Sequence, residues 1–244
     1  MSLQKVALIT GGSRGIGASI VRKLSDEGFA VAVNYSSSAT QAEELVAELR
    51  NHGRKACTIK CNVADATEVE YLCDTVESTL GKIDVLVNNA GIMQLAKLQD
   101  SNDALFDLQI AINLKGTFNT LRQAASRLRN GGRIINLSSS VVGLKLENYG
   151  VYAATKAAVE VFTAILSKEL RGRSITVNAV APGPTATALF LDGKSNEQIE
   201  KLAYMNPLER LAKPEDIANT VSFLASAEGG WINGQTLRAN GGMV

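Results

Sequence analysis

The strongest constraint on this chain is an alternation of two kinds of segment. Short apolar, β-branched runs recur as VALIT (6 to 10), AVAVN (30 to 34), KACTIKC (55 to 61), DVLVNNA (84 to 90), RIINLS (133 to 138), ITVNAVA (175 to 181) and QTLRA (235 to 239). Between them lie stretches of helical period such as SIVRKLSDEG, ATQAEELVAELRNHG and ATEVEYLCDTVESTLG, closed by the Gly that a left-handed helix end favours. Strands that are apolar throughout, rather than at every second residue, are buried on both faces. Helices packed on either side of a parallel sheet bring this about. The alternation therefore predicts an α/β fold, a doubly wound parallel sheet of about seven strands, formed as one domain over residues 1–244. The least regular stretch runs from Pro182 to about Pro214. A segment that long inside a compact domain points to a functional loop, with about 185–211 as the part expected to cover a substrate.

Composition removes several function classes. Of the residues 45% are apolar and 20% charged, and no apolar run approaches the roughly 20 residues of a membrane helix. MSLQKVALIT enters a strand directly, so a cytoplasmic protein is expected. A net charge of +1 gives no reason to invoke nucleic acid. Cys57, Cys61 and Cys73 with the single His52 do not compose a usual zinc site, so no metal is expected; the thiols read as small buried hydrophobes and His52 as part of a solvated helix end.

The octet TGGSRGIG, Thr10 to Gly17, follows the first strand and opens the first helix. Glycines let backbone approach a pyrophosphate, and a helix N-terminus offers free N–H groups with partial positive charge. The second strand ends in NYSSS, with no acid before Glu43 to bind a ribose 2′-hydroxyl. Arg14 suits a phosphate monoester instead. The expected cofactor is NADP(H), with Ser13, Arg14, Asn34, Tyr35 and Ser36 around the 2′-phosphate.

The run GVYAATKAAVEVFTAILSKEL is made of good helix formers, and it places Tyr152 and Lys156 on one helical face. With TGGSRGIG, NNAG at Asn88 to Gly91, Asn113 in INLKG, Ser139 in NLSSS, and Tyr152 with Lys156 in this order, the chain resembles the short-chain dehydrogenase/reductases. Within them it looks most like the 3-oxoacyl-carrier-protein reductase branch. The resemblance spans essentially the whole chain, down to PGPTAT and the terminal NGQTLRANGG, and implies a Rossmann-type domain.

The resemblance also implies roles. Gly11, Gly15, Ile16 and Gly17 would form the phosphate turn, and Asn88, Ala90 and Gly91 would lie along the adenosine and central sheet. Asn62 and Val63 would flank the adenine, although the family usually has Asp where Asn62 stands. Pro182, Gly183, Thr185 and Thr187 would contact the nicotinamide half. Tyr152 would be the proton donor in reduction, and Lys156 would lower its pKa while holding the nicotinamide ribose. Ser139 would polarise the carbonyl, and Asn113 would hold a water linking Lys156 to solvent. Ser139 is favoured as the catalytic serine because thirteen residues separate it from Tyr152, whereas Ser140 begins the family-like SVVG.

The expected reaction is reduction of a ketone or aldehyde, or of an acyl thioester. A cofactor-sensing protein without chemistry, and an isomerase or dehydratase with tightly held nucleotide, are the alternatives. Leu189, Phe190, Leu191, Ile199, Leu202 and Met205 point to an apolar or acyl substrate or to ordinary core. Arg127, Arg129, Arg171 and Arg173 are either a docking patch for an acidic carrier protein or scattered surface arginines. Apolar excess on LFDLQIAINLKGTFNTLRQAAS and AAVEVFTAILSKEL predicts a subunit contact, and the resemblance implies a homotetramer or homodimer.

Overall fold

The apolar runs pair, in the computed structural model, as a seven-stranded parallel sheet of order β3-β2-β1-β4-β5-β6-β7. Residues 4–244 are described. The strands are β1 (Val6–Thr10), β2 (Ala30–Tyr35), β3 (Ala56–Lys60), β4 (Val85–Asn88), β5 (Arg133–Leu137), β6 (Thr176–Pro182) and β7 (Thr236–Ala239). The helices are α1 (Gly15–Asp26), α2 (Ala39–Asn51), α3 (Ala66–Thr79), α4 (Asp103–Gln109), α5 (Gly116–Arg127), α6 (Val141–Leu144), α7 (Gly150–Glu169), α8 (Ala188–Leu191), α9 (Asn196–Ala203) and α10 (Pro214–Ala225).

Side chains alternate along a strand, so one strand feeds two cores. In β1, Ala7 and Ile9 join the cluster containing Leu24 of α1, Leu45 of α2 and Leu224 of α10. Val6 and Leu8 face the opposite cluster, with Leu72 of α3, Leu121 of α5 and Leu166 of α7. Both predicted layers are therefore present. Strand order reverses between β1 and β4, and the carboxyl ends of those strands open the crevice where open α/β sheets bind ligands.

Two segments differ from the sequence expectation. The stretch expected as an irregular cover contains α8 and α9. Each is started by a side-chain cap: Thr187 accepts from the Phe190 N–H, and Ser195 forms a reciprocal capping box with Gln198. Second, the helix leading into α5 is wound as a π-helix over Ile110–Lys115, with Asn113 at 0% exposure inside it. Such a bulge re-aims side chains and often marks a functional site.

Candidate active site

The turn between β1 and α1 is built so that backbone can approach backbone. Gly11 and Gly15 have φ of +59° and +54°, and a Cβ on Gly17 would lie 2.3 Å from the Gly11 carbonyl oxygen. Asn89 locks the turn from the side, its Nδ2 donating to the Thr10 and Gly11 carbonyls at 3.1 and 2.8 Å. Thr10 Oγ1 accepts from the Asn89 and Ala90 N–H groups at 3.0 and 3.1 Å. A cavity of about 310 Å³ lies over this turn. Its walls include Gly11, Ser13, Arg14, Gly15, Ile16, Ser36, Asn62, Val63, Ala90 and Gly91, with Ser37 and Ser38 continuing the β2 end. α1 has neither a side-chain cap bond nor an acidic residue in its first turn, so its leading N–H groups remain available to an anion.

Of the expected residues, Asn34 lines the cavity with its amide already bonded, whereas Tyr35 and Asn88 lie outside its walls. Asn34 is 1% exposed; its Oδ1 accepts from Gly11 N at 3.2 Å and its Nδ2 donates to the Cys61 carbonyl at 3.0 Å. Its amide is committed to holding the turn, so it shapes the cavity instead of offering donors to a phosphate. Tyr35 packs against the apolar cluster of α1 and α2. Asn88 lies in the core, donating to Asn136 Oδ1 at 2.9 Å and accepting from Thr120 at 2.7 Å. Asn89 lines the cavity in its place, a one-residue shift that strand alternation explains. The Asn62 amide oxygen accepts from the Ala64 N–H at 3.1 Å, a turn-forming bond that an amide can make as well as a carboxylate.

A second, smaller cavity of about 150 Å³ adjoins the first through Ile16, Asn89, Gly91 and Thr187. Its walls include Ser139, Tyr152, Lys156, Pro182, Gly183 and Thr185. α7 presents Tyr152 and Lys156 to it, and Ser139, on the same wall, is near enough to the phenol to lower its pKa. Ser140 is 3% exposed, donates to the Ala181 carbonyl at 3.1 Å and accepts from Asn240 at 3.0 Å. Of the adjacent serines, 139 is therefore the one that acts on the phenol, while 140 is occupied in pinning the start of α6 to β6. Thr185 donates to the Gly183 carbonyl, and a Cβ on Gly183 would come within 2.9 Å of Asn240 Cα. Both fix the loop that closes this cavity.

The electrostatics depart from the sequence expectation. Burial pushes the Tyr152 phenol up to about 12, against a smaller lowering by Ser139. Burial also lowers Lys156 to about 8. Its ammonium donates to the Leu137 carbonyl at 2.7 Å and lies 5.8 Å from the Tyr152 ring centre. Burial is the largest cause of both shifts, and no contribution from Lys156 offsets it at the phenol. Asn113 is fixed through its side chain. Its Oδ1 accepts from the Ile92 N–H at 2.8 Å and its Nδ2 donates to the Ile92 carbonyl at 2.9 Å. The amide clamps the loop after Gly91. A Cβ on Gly91 would lie 3.2 Å from Asn113 Oδ1 and 3.6 Å from Lys156 Nζ, which gives that glycine a reason to be there.

A family profile described as "Enoyl-(Acyl carrier protein) reductase" matches residues 11–244. An Arabidopsis thaliana protein named "NADPH-dependent aldehyde reductase 2, chloroplastic" is 42% identical over 98% of this chain and 94% of its own. A 3-oxoacyl-acyl-carrier-protein reductase of Staphylococcus aureus is 44% identical over 100% and 99%. A short-chain dehydrogenase from Burkholderia cenocepacia, solved in complex with NADP, superposes with a TM-score of 0.93 at 36% identity, covering 99% of this chain and 98% of that one. The chain belongs to the short-chain dehydrogenase/reductase family.

Against the family pattern read from the sequence, several wall residues were missed. Tyr149, one helical turn before Tyr152, stacks edge-on to it at 6.4 Å and faces the smaller cavity. Met93 and Met243 were missed as well, and with the expected Met205 they line the same cavity, three of the four methionines in the chain. They come from the loop after β4, the segment after α9 and the C-terminal turn, so only the tertiary fold gathers them. Of the apolar residues proposed for the entrance, Leu189, Phe190, Leu202 and Met205 line the cavity, whereas Leu191 and Ile199 do not. The arginines offered as a carrier-protein patch are largely engaged. Arg127 pairs with Asp74 and Glu77, Arg129 lies 3.5 Å from Asp84, and Arg173 donates to the Ala125 and Leu128 carbonyls. The three thiols are buried, and burial pushes Cys61 and Cys73 to about 12 and about 11. No helix among the described residues is long and apolar enough to cross a membrane.

Proposed function

We propose that this chain is an NADPH-dependent reductase of apolar aldehydes and ketones, with Tyr152 as proton donor. The observation that carries this reading is the convergence of the Tyr152 and Ser139 hydroxyls in a mostly apolar cavity next to the glycine-turn cavity. Two hydroxyl donors on one substrate oxygen suit a carbonyl, whose oxygen gains charge as carbon is reduced.

The turn residues fit the cofactor. Backbone without Cβ atoms at Gly11, Gly15 and Gly17 leaves room for a pyrophosphate at the N-terminus of α1. Arg14, Ser13 and Ser36 offer donors to a 2′-phosphate where no acid would repel it, and Asn62 and Val63 wall the adenine end. Bound there, NADPH supplies the hydride. Lys156 holds the ribose and, when charged, favours release of the phenol proton; Ser139 orients the carbonyl; Asn113 keeps the Ile92 loop in place behind them. A neutral phenol is the form a reductase needs at the start of each turnover, and the burial of Tyr152 supplies it.

Methionine walls favour apolar groups of variable shape, because the unbranched thioether adapts to its neighbour. The engagement of Arg127, Arg129 and Arg173 within the chain favours a free carbonyl compound over an acyl group on an acidic carrier. A positioned acid, hydroxyl and lysine also argue against a pure nucleotide sensor. Phe118, Val161 and Ile165 stand 44%, 56% and 49% exposed on neighbouring faces of α5 and α7, which supports a homo-oligomer, a tetramer by family resemblance, assembled through that face.

The test is consumption of NADPH with apolar aldehydes and ketones, run beside acetoacetyl thioesters. Alcohol formed in step with NADPH oxidised is the expected result. No nucleotide consumption with any member of the panel would refute the reading, and faster turnover of the thioester would move the substrate to the acyl class.

A further inference from the structure

The end of β5 and the two residues after it face one stripe of α7. Lys156 Nζ donates to the Leu137 carbonyl at 2.7 Å, and Ser139 is near enough to the Tyr152 phenol to lower its pKa. Between Leu137 and Ser139, Ser138 Oγ donates to Glu160 Oε1 at 2.6 Å. Residues 137, 138 and 139 are consecutive, and 152, 156 and 160 are spaced by four, so each group on the stripe lies one turn from the next. Ser138 is 4% exposed, and its N–H donates to the Val180 carbonyl at 2.7 Å, which ties it to β6 as well. Its hydroxyl also lies 3.5 Å from the Lys156 carbonyl.

Two of these three contacts involve groups assigned to the chemistry; the third reaches the cavity only through Ser138. Glu160 does not line it, and nothing in the proposed reaction uses a carboxylate. A carboxylate–hydroxyl bond to a buried serine is stronger and more directional than a neutral pair. It lies one turn beyond Lys156, where sliding or rotation of α7 on the sheet would carry Tyr152 away from Ser139.

We infer that Glu160 is a positioning residue, which through Ser138 sets the register of α7 on β5 and so holds Tyr152 and Lys156 where the carbonyl chemistry requires them. This rests on the reductase reading for its kinetic consequence, but the register itself can be read without turnover. The carboxylate acts here as an acceptor, so Gln should replace it and Ala should not.

The experiment compares wild type with Glu160→Ala, Glu160→Gln, Ser138→Ala and the Glu160→Ala, Ser138→Ala double variant. Turnover of the best carbonyl substrate in the wild type is expected to fall about tenfold in Glu160→Ala, the scale of a displacement well under 1 Å at a reacting centre. The KM for the carbonyl and the Kd for NADPH should stay within about twofold of wild type, since Glu160 touches neither ligand. Glu160→Gln should recover most of the rate. Ser138→Ala should match Glu160→Ala, and the double variant should be no worse than either single one, because both remove one bond. Hydrogen exchange over residues 150–160, measured without substrate, should quicken in Glu160→Ala and return in Glu160→Gln. Wild-type turnover and exchange in Glu160→Ala would overturn the inference, as would multiplicative losses in the double variant or a Gln variant as slow as Ala. If wild type itself consumed no NADPH, the reductase reading would fail, and unchanged exchange in Glu160→Ala would then separately overturn the register.

Discussion

The two cavities beside the sheet are held in different ways. Around the glycine turn, polar side chains are spent on one another and on backbone: Asn34 on Gly11 and Cys61, Asn89 on Thr10 and Gly11, Thr10 on Asn89 and Ala90. Around the carbonyl cavity the outer wall is Leu189, Phe190, Leu202 and three methionines, on two short helices, the segment after the second of them, the loop after β4 and the C-terminal turn. A site that binds one invariant phosphate-bearing ligand gains from fixed donors. A site that takes carbonyl compounds of varied shape gains from side chains that yield. Tyr152, Ser139 and Lys156 sit on the seam between them.

The comparison predicts that the two halves can be damaged separately. Arg14→Ala removes a charged donor from the nucleotide half alone and should weaken NADPH about tenfold to a hundredfold while barely changing NADH, the scale of one or two lost charge-assisted bonds. Dissociation constants for both nucleotides check this, with the KM for the carbonyl expected to hold. An equal loss for NADH would remove the 2′-phosphate assignment, and a large change in carbonyl KM would show the halves to be coupled.

A smaller effect belongs to the seam. Burial depresses Lys156 to about 8, so its ammonium is charged below that pH and neutral above it, whereas Tyr152 stays protonated until about 12. The reductive kcat/KM should therefore be highest below pH 8 and fall as pH rises through that value, by a single deprotonation of the lysine. A flat profile from pH 7 to 10 would show that the charge of Lys156 is not used.

The same division explains what could be read from the sequence. The seven strands, the glycine turn and the Tyr152–Lys156 pair were legible because each is a local pattern: apolar runs, Gly at backbone constraints, four-residue spacing on a helix. Asn88 was expected along the adenosine and the central sheet; it bonds across the sheet to Asn136 while Asn89 takes the cavity side, because the end of a strand fixes which face a residue takes. Asn34 and Asn113 were drawn to the site by their motifs, but which backbone groups their amides meet is not visible in a sequence. The protonated state of Tyr152 was also hidden. Its neighbour Lys156 is visible in the chain, but the burial that raises the phenol is a property of the packed fold. Of the methionine wall only Met205 was legible, since Met93 and Met243 come from distant segments that only the fold brings to it.

The central claim is that the phenol of residue 152 delivers the proton to the reduced carbonyl. Tyr152→Phe keeps the ring and removes only the hydroxyl, so single-turnover and steady-state NADPH oxidation should be abolished while the Kd for NADPH stays within about twofold. Carbonyl reduction by the Phe variant at a substantial fraction of the wild-type rate would contradict it.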